Sequence, residues 1–223
     1  MRKGGLSFRL SLLWRGGYSF PLKKGGVRGL LFLCTAVLLL CCSAVTCEAF
    51  KLPDTGQTKC YRGVDPYDEI PCAGTGQDGA YTINPMSFTD NGNGTVMDNN
   101  TGLMWQKEDD GNTYNWYQAA GVYDATYNSN SLNVCGALNL GGYGDWRLPS
   151  KKELITIVDY LLPYPGPAIN TTYFPNTSAS YYWSSITLAT SPGYAWIVHF
   201  GDGFVAYTRK DDDSMYARCV RGG

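Results

Sequence analysis

Histidine is almost missing: His199 is the one imidazole in 223 residues. A nucleophile–base–carboxylate relay and a histidine-built metal site both draw on imidazole, so each is hard to assemble here. The Gly-x-Ser-x-Gly elbow that lifts a hydrolase nucleophile out of a sheet is also absent, and Ser184 and Ser185 merely follow aromatics. No Cys-x-x-Cys pair occurs, which argues against a thiolate zinc site. Basic side chains are scarce beyond position 49, where 11 Lys and Arg stand against 18 Asp and Glu, a net charge of about −7. Nucleic acids and other polyanions are captured through Lys/Arg surfaces and counterion release. This chain has no electrostatic reason to seek them, and a neutral or cationic partner suits it better.

One long apolar run is present. Gly29–Ala44 (GLLFLCTAVLLLCCSA) follows Lys23, Lys24 and Arg28 and precedes small residues, the three-part layout of a secretion leader. Its 16 residues fall short of the roughly 20 that cross a bilayer, and nothing later is comparably apolar, so a retained anchor is the lesser alternative. Cleavage after Ala44 or Ala49 fits the small-residue rule, and the exported product is expected to begin between Val45 and Phe50. Cys47 sits in a loose lipoprotein-like context, with Thr46 where a small residue is wanted. A translation start nearer Val27 would leave the destination unchanged. The expected organisation is a leader over 1–49, an irregular arm over 50–86 and one domain over 87–223. The product is placed outside the cytoplasm, with no stable membrane span once the leader is gone.

Beyond the leader stand Cys60, Cys72, Cys135 and Cys219, an even number in an oxidising compartment, so disulfides are the default reading and all three pairings stay open. The arm is rich in Gly, Pro and Asp. A hairpin follows: Ser87–Thr89 and Thr95–Met97 flank Asp90-Asn91-Gly92-Asn93-Gly94, whose Asn-Gly pair supplies positive φ. This tract is read as a turn and not as a calcium loop, because Gly92, Gly94 and Thr101 occupy places that need oxygen ligands. Asp98–Gly102 makes a second turn into a strand at Leu103–Gln106. Asn115–Ala120 opens a short helix. Ser150-Lys151-Lys152-Glu153 is a capping box, and Leu154, Ile155, Val158, Leu161 and Leu162 continue one apolar helical face up to Pro163. Strands are expected at Tyr181–Ser184, Ala195–Phe200, Phe204–Thr208 and Tyr216–Val220, with Gly201-Asp202-Gly203 as a hairpin turn. The fold class is α+β: two helices packed on short, mainly antiparallel strands.

Six stretches in order, Asp54–Tyr61 (DTGQTKCY), Phe88–Thr95 (FTDNGNGT), Thr101–Gln106 (TGLMWQ), Gly144–Ser150 (GDWRLPS), Tyr182–Ser185 (YWSS) and Arg218–Arg221 (RCVR), resemble the C-terminal domain family of the Legionella collagen-like adhesin. The resemblance covers essentially the whole chain after the leader. It implies a fold of the C-type-lectin-like and sulfatase-modifying-enzyme group, in bacterial secreted or surface proteins, and adhesion or ligand display over chemistry. It also implies, by analogy, a homotrimer. Two departures matter. There is no Gly-X-Y collagen stalk, and the acidic charge removes any expectation of glycosaminoglycan binding. Arg-Leu-Pro and Arg-Cys-Val-Arg faintly echo the formylglycine-generating enzymes, which need a reactive cysteine pair. With loop geometry, the compartment and the cysteines' places in these motifs taken together, Cys60 is expected to pair with Cys72 and Cys135 with Cys219.

The remaining candidates are weighed individually. His199 is read as a strand residue. Glu108, Asp109 and Asp110 form an acidic run that two-carboxylate glycoside chemistry would need, but adjacent charges in a polar loop are read as solvated. Trp146 and Leu148 are expected in the core, with Arg147 paired to an acidic neighbour. Trp105, Trp116, Trp183 and Trp196 join the aromatic supply, much of it core. Tyr114, Tyr117, Tyr123 and Tyr127 lie among Asn and Gly, the composition of rigid amphipathic recognition surfaces, and are the candidate ligand-binding set. The expected function is a non-catalytic binding or adhesion module for an extracellular glycan or protein, with no cofactor and no metal. The alternatives are a secreted carbohydrate-active or protein-modifying enzyme acting through Glu108 or Asp110, and a structural envelope component.

Overall fold

The computed structural model describes residues 51–223; the leader, its cleavage between Val45 and Phe50 and lipid attachment at Cys47 lie outside the described residues. The arm has little apolar surface to bury, so covalent and polar ties order it. Strands β1 (Cys60–Tyr61) and β2 (Glu69–Ile70) form a two-residue antiparallel ladder beside the Cys60–Cys72 disulfide. The Gln77 side chain then brackets Tyr61, accepting from its N–H at 2.9 Å and donating to its carbonyl at 2.7 Å.

The hairpin expected around Asn91–Gly94 forms between β3 (Phe88–Asp90) and β4 (Thr95–Asp98), and β5 (Met104–Gln106) extends it. With β11 (Val220–Arg221) these make a four-stranded antiparallel sheet in the order β11-β5-β4-β3. The turn needs positive φ at Gly92 and Gly94. Asp90 accepts the Gly92 N–H at 2.9 Å and pairs with Lys107 at 2.7 Å, so its carboxylate is already engaged.

The second sheet has five strands in the order β6-β10-β7-β8-β9: β6 (Thr113–Tyr114), β10 (Met215–Tyr216), β7 (Tyr181–Thr187), β8 (Tyr194–His199) and β9 (Val205–Arg209). All its pairings are antiparallel except β10 with β7. The continuous strand expected over Tyr216–Val220 is therefore corrected. Its residues serve two sheets, because Ala217–Cys219 leave the ladder. There the Arg218 guanidinium turns inward to the carbonyls of Gln106 and Lys107, and Cys219 bonds to Cys135 across a Cα–Cα distance of 5.4 Å.

Among the described residues two five-residue α-helices are present, α1 (Trp116–Ala120) and α2 (Lys151–Ile155). The α2 capping box forms as expected, with Ser150 Oγ accepting the Glu153 N–H and Glu153 accepting the Ser150 N–H. Arg147 adds a bidentate pair to Glu153 at 2.6 and 2.9 Å. The helix does not run to Pro163, which is a second correction. The β-branched run Thr156-Ile157-Val158 disfavours continuation, and distant carbonyls take the next amides: Asp159 N–H donates to Ala168 and Tyr160 N–H to Thr55. Leu154 and Val158 still reach the core, whereas Leu161 is half-buried and Leu162 exposed. One apolar cluster gathers Trp105, Tyr182, Phe174, Phe200 and the α2 residues; another gathers Trp116, Trp146, Leu148, Trp183 and the Cys135–Cys219 bridge. The architecture is α+β and mostly strand.

Candidate functional site

The four candidate tyrosines part company, and two come together. Asn115 caps α1, its side-chain oxygen accepting the Gln118 N–H at 3.0 Å while Gln118 accepts the Asn115 N–H. Gly121 ends the helix in the left-handed region at φ 69°. Trp116 is thereby turned inward, its indole N–H donating to the Ser184 carbonyl at 3.0 Å, and Tyr117 is left at the rim. The following loop is held by Asp124, which accepts the N–H groups of Thr126 and Tyr127, and by the Asn115 amide, which donates to the Tyr127 carbonyl. Those bonds set the Tyr127 ring flat against Tyr117, with centroids 5.6 Å apart and planes 12° off parallel. Tyr123 stands exposed in the same loop, outside this stack. Tyr114 belongs to β6 instead. Its hydroxyl donates to Asp110, its carbonyl accepts the Trp183 indole N–H at 2.7 Å, and burial followed by the Asp110 carboxylate pushes its pKa up to about 12.

The stack has neighbours that sequence reasoning missed. Gly193, Tyr194, Arg209 and Asp211 join Tyr117 and Tyr127 around a cavity of about 140 Å³. The β8–β9 register sets Tyr194 opposite Arg209 and Trp196 opposite Tyr207, which puts all four side chains on one sheet face. Tyr207 meets Tyr194 at 6.0 Å and Trp196 at 5.7 Å, both nearly perpendicular, and Lys151 Nζ caps Trp196 at 3.3 Å. Arg209 grips Asp211 through two bonds, Nε–Oδ1 at 2.9 Å and Nη2–Oδ2 at 2.6 Å. Asp211 is held below the ordinary carboxylate range by that guanidinium, and Arg209 is raised in turn; burial raises Tyr117. Beneath the rim, Lys210 Nζ donates to Thr187 Oγ1 at 2.8 Å and lies 3.8 Å over the Trp116 ring, and burial lowers its pKa. A signal for the missed residues existed. The Gly201-Asp202-Gly203 turn, once read, pairs Tyr194 and Trp196 with Arg209 and Tyr207 by simple alternation.

Residues 94–221 match the family model of the Lcl C-terminal domain. The chain belongs to the Lcl C-terminal domain family. No curated protein matches it. Both helices, the aromatic face and the Cys135–Cys219 bridge of this Lcl C-terminal domain lie inside the matched stretch; the arm and β3 precede it.

The acidic run of the Lcl C-terminal domain is not simply solvated, which is a third correction. Asp109 is buried against Arg218, with Oδ2–Nη2 at 2.8 Å and side chains 1% and 0% exposed. Asp109 also accepts from Tyr182 Oη, Gly111 N and Asn176 Nδ2, while Arg218 donates to Thr177 Oγ1 and two carbonyls. Burial, then Asp109, raises the Tyr182 pKa. Asp110 is engaged by Tyr114, as above. His199 sits on β8 with Nδ1 2.7 Å from Asp202, its ring 4.5 Å from that of Tyr181 and tilted 40° to it. A concavity of about 620 Å³ lies against the proline loop around Pro163–Pro167, and the one carboxylate lining it, Asp159, already caps the Leu161 N–H. Among the described residues no cluster of His, Cys, Asp or Glu is arranged to hold a metal ion, and no helix is long and apolar enough to cross a membrane.

Proposed function

We propose that this Lcl C-terminal domain is an exported binding module of the surface-adhesin type, without catalytic residues, and that its extracellular glycan or protein ligand seats on the Tyr117–Tyr127–Tyr194–Tyr207 face. The observation that carries the reading is the convergence of a stacked tyrosine pair, Tyr194 and the Arg209–Asp211 pair at one shallow cavity, with Tyr207 edge-on to Tyr194 beside it. Aromatic faces supply apolar contact at low entropic cost, and a few polar groups fix orientation. The two groups of the ion pair retain unspent capacity, because a guanidinium has five donors and a carboxylate about four acceptor sites. The C-type-lectin-like fold reading is supported by the two short α-helices, the four- and five-stranded sheets and the disulfide to the C-terminal strand segment. Export is supported by the two disulfides, which persist in oxidising compartments.

The test is a glycan array and pull-down with the exported protein, with and without calcium. Tyr127→Ala and Arg209→Ala are expected to weaken binding at least tenfold, and Tyr123→Ala to leave it unchanged. Equal loss in all three variants, or turnover of a glycoside or peptide substrate that Glu108→Gln or Asp110→Asn abolishes, would refute the reading.

A further inference from the structure

Gly193 has no backbone reason to be glycine. Its φ lies outside the left-handed region, and a Cβ there would meet nothing within 4 Å. The missing side chain therefore relieves no clash; it leaves room beside Tyr117, Tyr127, Tyr194 and the Arg209–Asp211 pair. The room is small. Its volume of about 140 Å³ equals that of about five liquid waters, enough for one six-membered ring and well short of the roughly 300–1,000 Å³ that drug-sized ligands occupy.

The polar edge of this room selects the chemistry. Arg209 spends Nε and one Nη2 proton on Asp211, which leaves three of the five guanidinium N–H groups, and each Asp211 oxygen has taken a single bond from it. Spare donors and spare acceptors stand side by side. A cation would use only the acceptors, an anion only the donors, and an apolar side chain neither, leaving both desolvated. Hydroxyls on adjacent ring carbons each donate and accept, so they satisfy the two together. Charge weighs against anions a second time. Burial raises the Tyr117 hydroxyl, and Asp124 and Asp211 raise it further against Arg209 alone. Asp212 and Asp213 follow in sequence, whereas Lys210 is turned under the rim onto Trp116 and Lys151 sits on Trp196.

We propose that the cavity takes one neutral pyranose ring, its C–H face against the tyrosines and two adjacent hydroxyls on the Arg209–Asp211 pair, and that acidic sugars are rejected. The inference rests on the binding reading above and narrows it to uncharged glycans met through a single sugar residue. Tyr127 is 40% exposed, so ring surface is open to such a face.

Saturation-transfer NMR and chemical-shift titration of the exported protein test it. The neutral probes are methyl glucoside, galactoside and mannoside; the charged probes are the corresponding methyl uronides, and N-acetylasparagine methylamide is the amide probe. At least one neutral glycoside is expected to bind in the millimolar range, unaffected by added salt, with its uronide at least tenfold weaker. Gly193→Leu fills the room at an unstrained position, and Arg209→Lys keeps the charge but loses the fork. Each is expected to weaken binding at least tenfold while melting within a few degrees of wild type. Tighter binding of a uronide, equal binding of the amide, wild-type affinity in Gly193→Leu, or no neutral glycoside bound would overturn the inference. Should that happen while an array or pull-down ligand is still lost in Tyr127→Ala, the binding reading stands without it; an array and pull-down that return no ligand end both.

Discussion

Replacing Asp109 with Asn removes one charge from a pair that water does not reach. Arg218 keeps its full charge with its side chain wholly buried, and the strongest of its four polar contacts becomes a neutral amide. Breaking a buried ion pair from one side costs about 3–5 kcal/mol, since the remaining charge has no compensation. A domain this size holds roughly 5–15 kcal/mol in all and loses about 2–4 °C of melting temperature per kcal/mol. Asp109→Asn is therefore expected to lower the midpoint by roughly 6–20 °C in thermal unfolding followed by circular dichroism at neutral pH. The double variant Asp109→Leu/Arg218→Met is expected to recover part of the loss. Recovery stays incomplete because the Gln106 and Lys107 carbonyls lose their donor, at about 1–3 kcal/mol for each orphaned group. A solvated loop carboxylate predicts a different result, a change within about 0.5 kcal/mol. A single variant that melts within 2 °C of wild type, a shift of about 0.5–1 kcal/mol at most, would refute the burial argument.

Three further outcomes are expected. Serine at both Cys135 and Cys219 should destabilise more than serine at both Cys60 and Cys72, because loop-closure entropy scales with separations of 84 against 12 residues, about 4.5 against 3 kcal/mol; denaturant melts with equal losses would contradict this. Burial pushes Glu153 up, but Arg147 and the Ser150 N–H more than offset it, so the folded carboxyl titrates below its ordinary 4.5. Its stabilising contribution is whole above the unfolded value and drains away as pH falls through the folded one, and stability against pH should lose part of this acid limb in Glu153→Gln. Gly121→Ala should lower the melting temperature by the equivalent of about 1 kcal/mol or more, since φ there is 69° and an added methyl meets the Asn133 amide; an unchanged melt would show that the α1 terminus relaxes freely.

What was readable in the chain was local. The Asn-Gly tract places the β3–β4 turn, and Ser150 with Glu153 places the start of α2, because each device acts within a few residues. The end of α2 was hidden, since the competing acceptors are Thr55 and Ala168, which no helical window contains. Asp109 and Arg218 lie 109 residues apart, so composition shows two ordinary charges and no pair. Half of the candidate site suffered the same way. Tyr117 and Tyr127 stood in one Asn-rich stretch, whereas Tyr194, Arg209 and Asp211 reach them only through the cross-strand register of β8 and β9.

The seven residues from Met215 to Arg221 are woven through both sheets, with β10 inserted between β6 and β7 and β11 laid along β5. Neither sheet can then be finished ahead of the other. The interior seat in one and the edge seat in the other are filled by the same short thread, which Arg218 and the Cys135–Cys219 bridge anchor at its midpoint. Assembly of the two sheets becomes a single committed event, late in the search through conformations, because every contact that closes it is remote in sequence. The same threading bears on inheritance. A recombination event that exchanged one sheet would carry away the lock of the other.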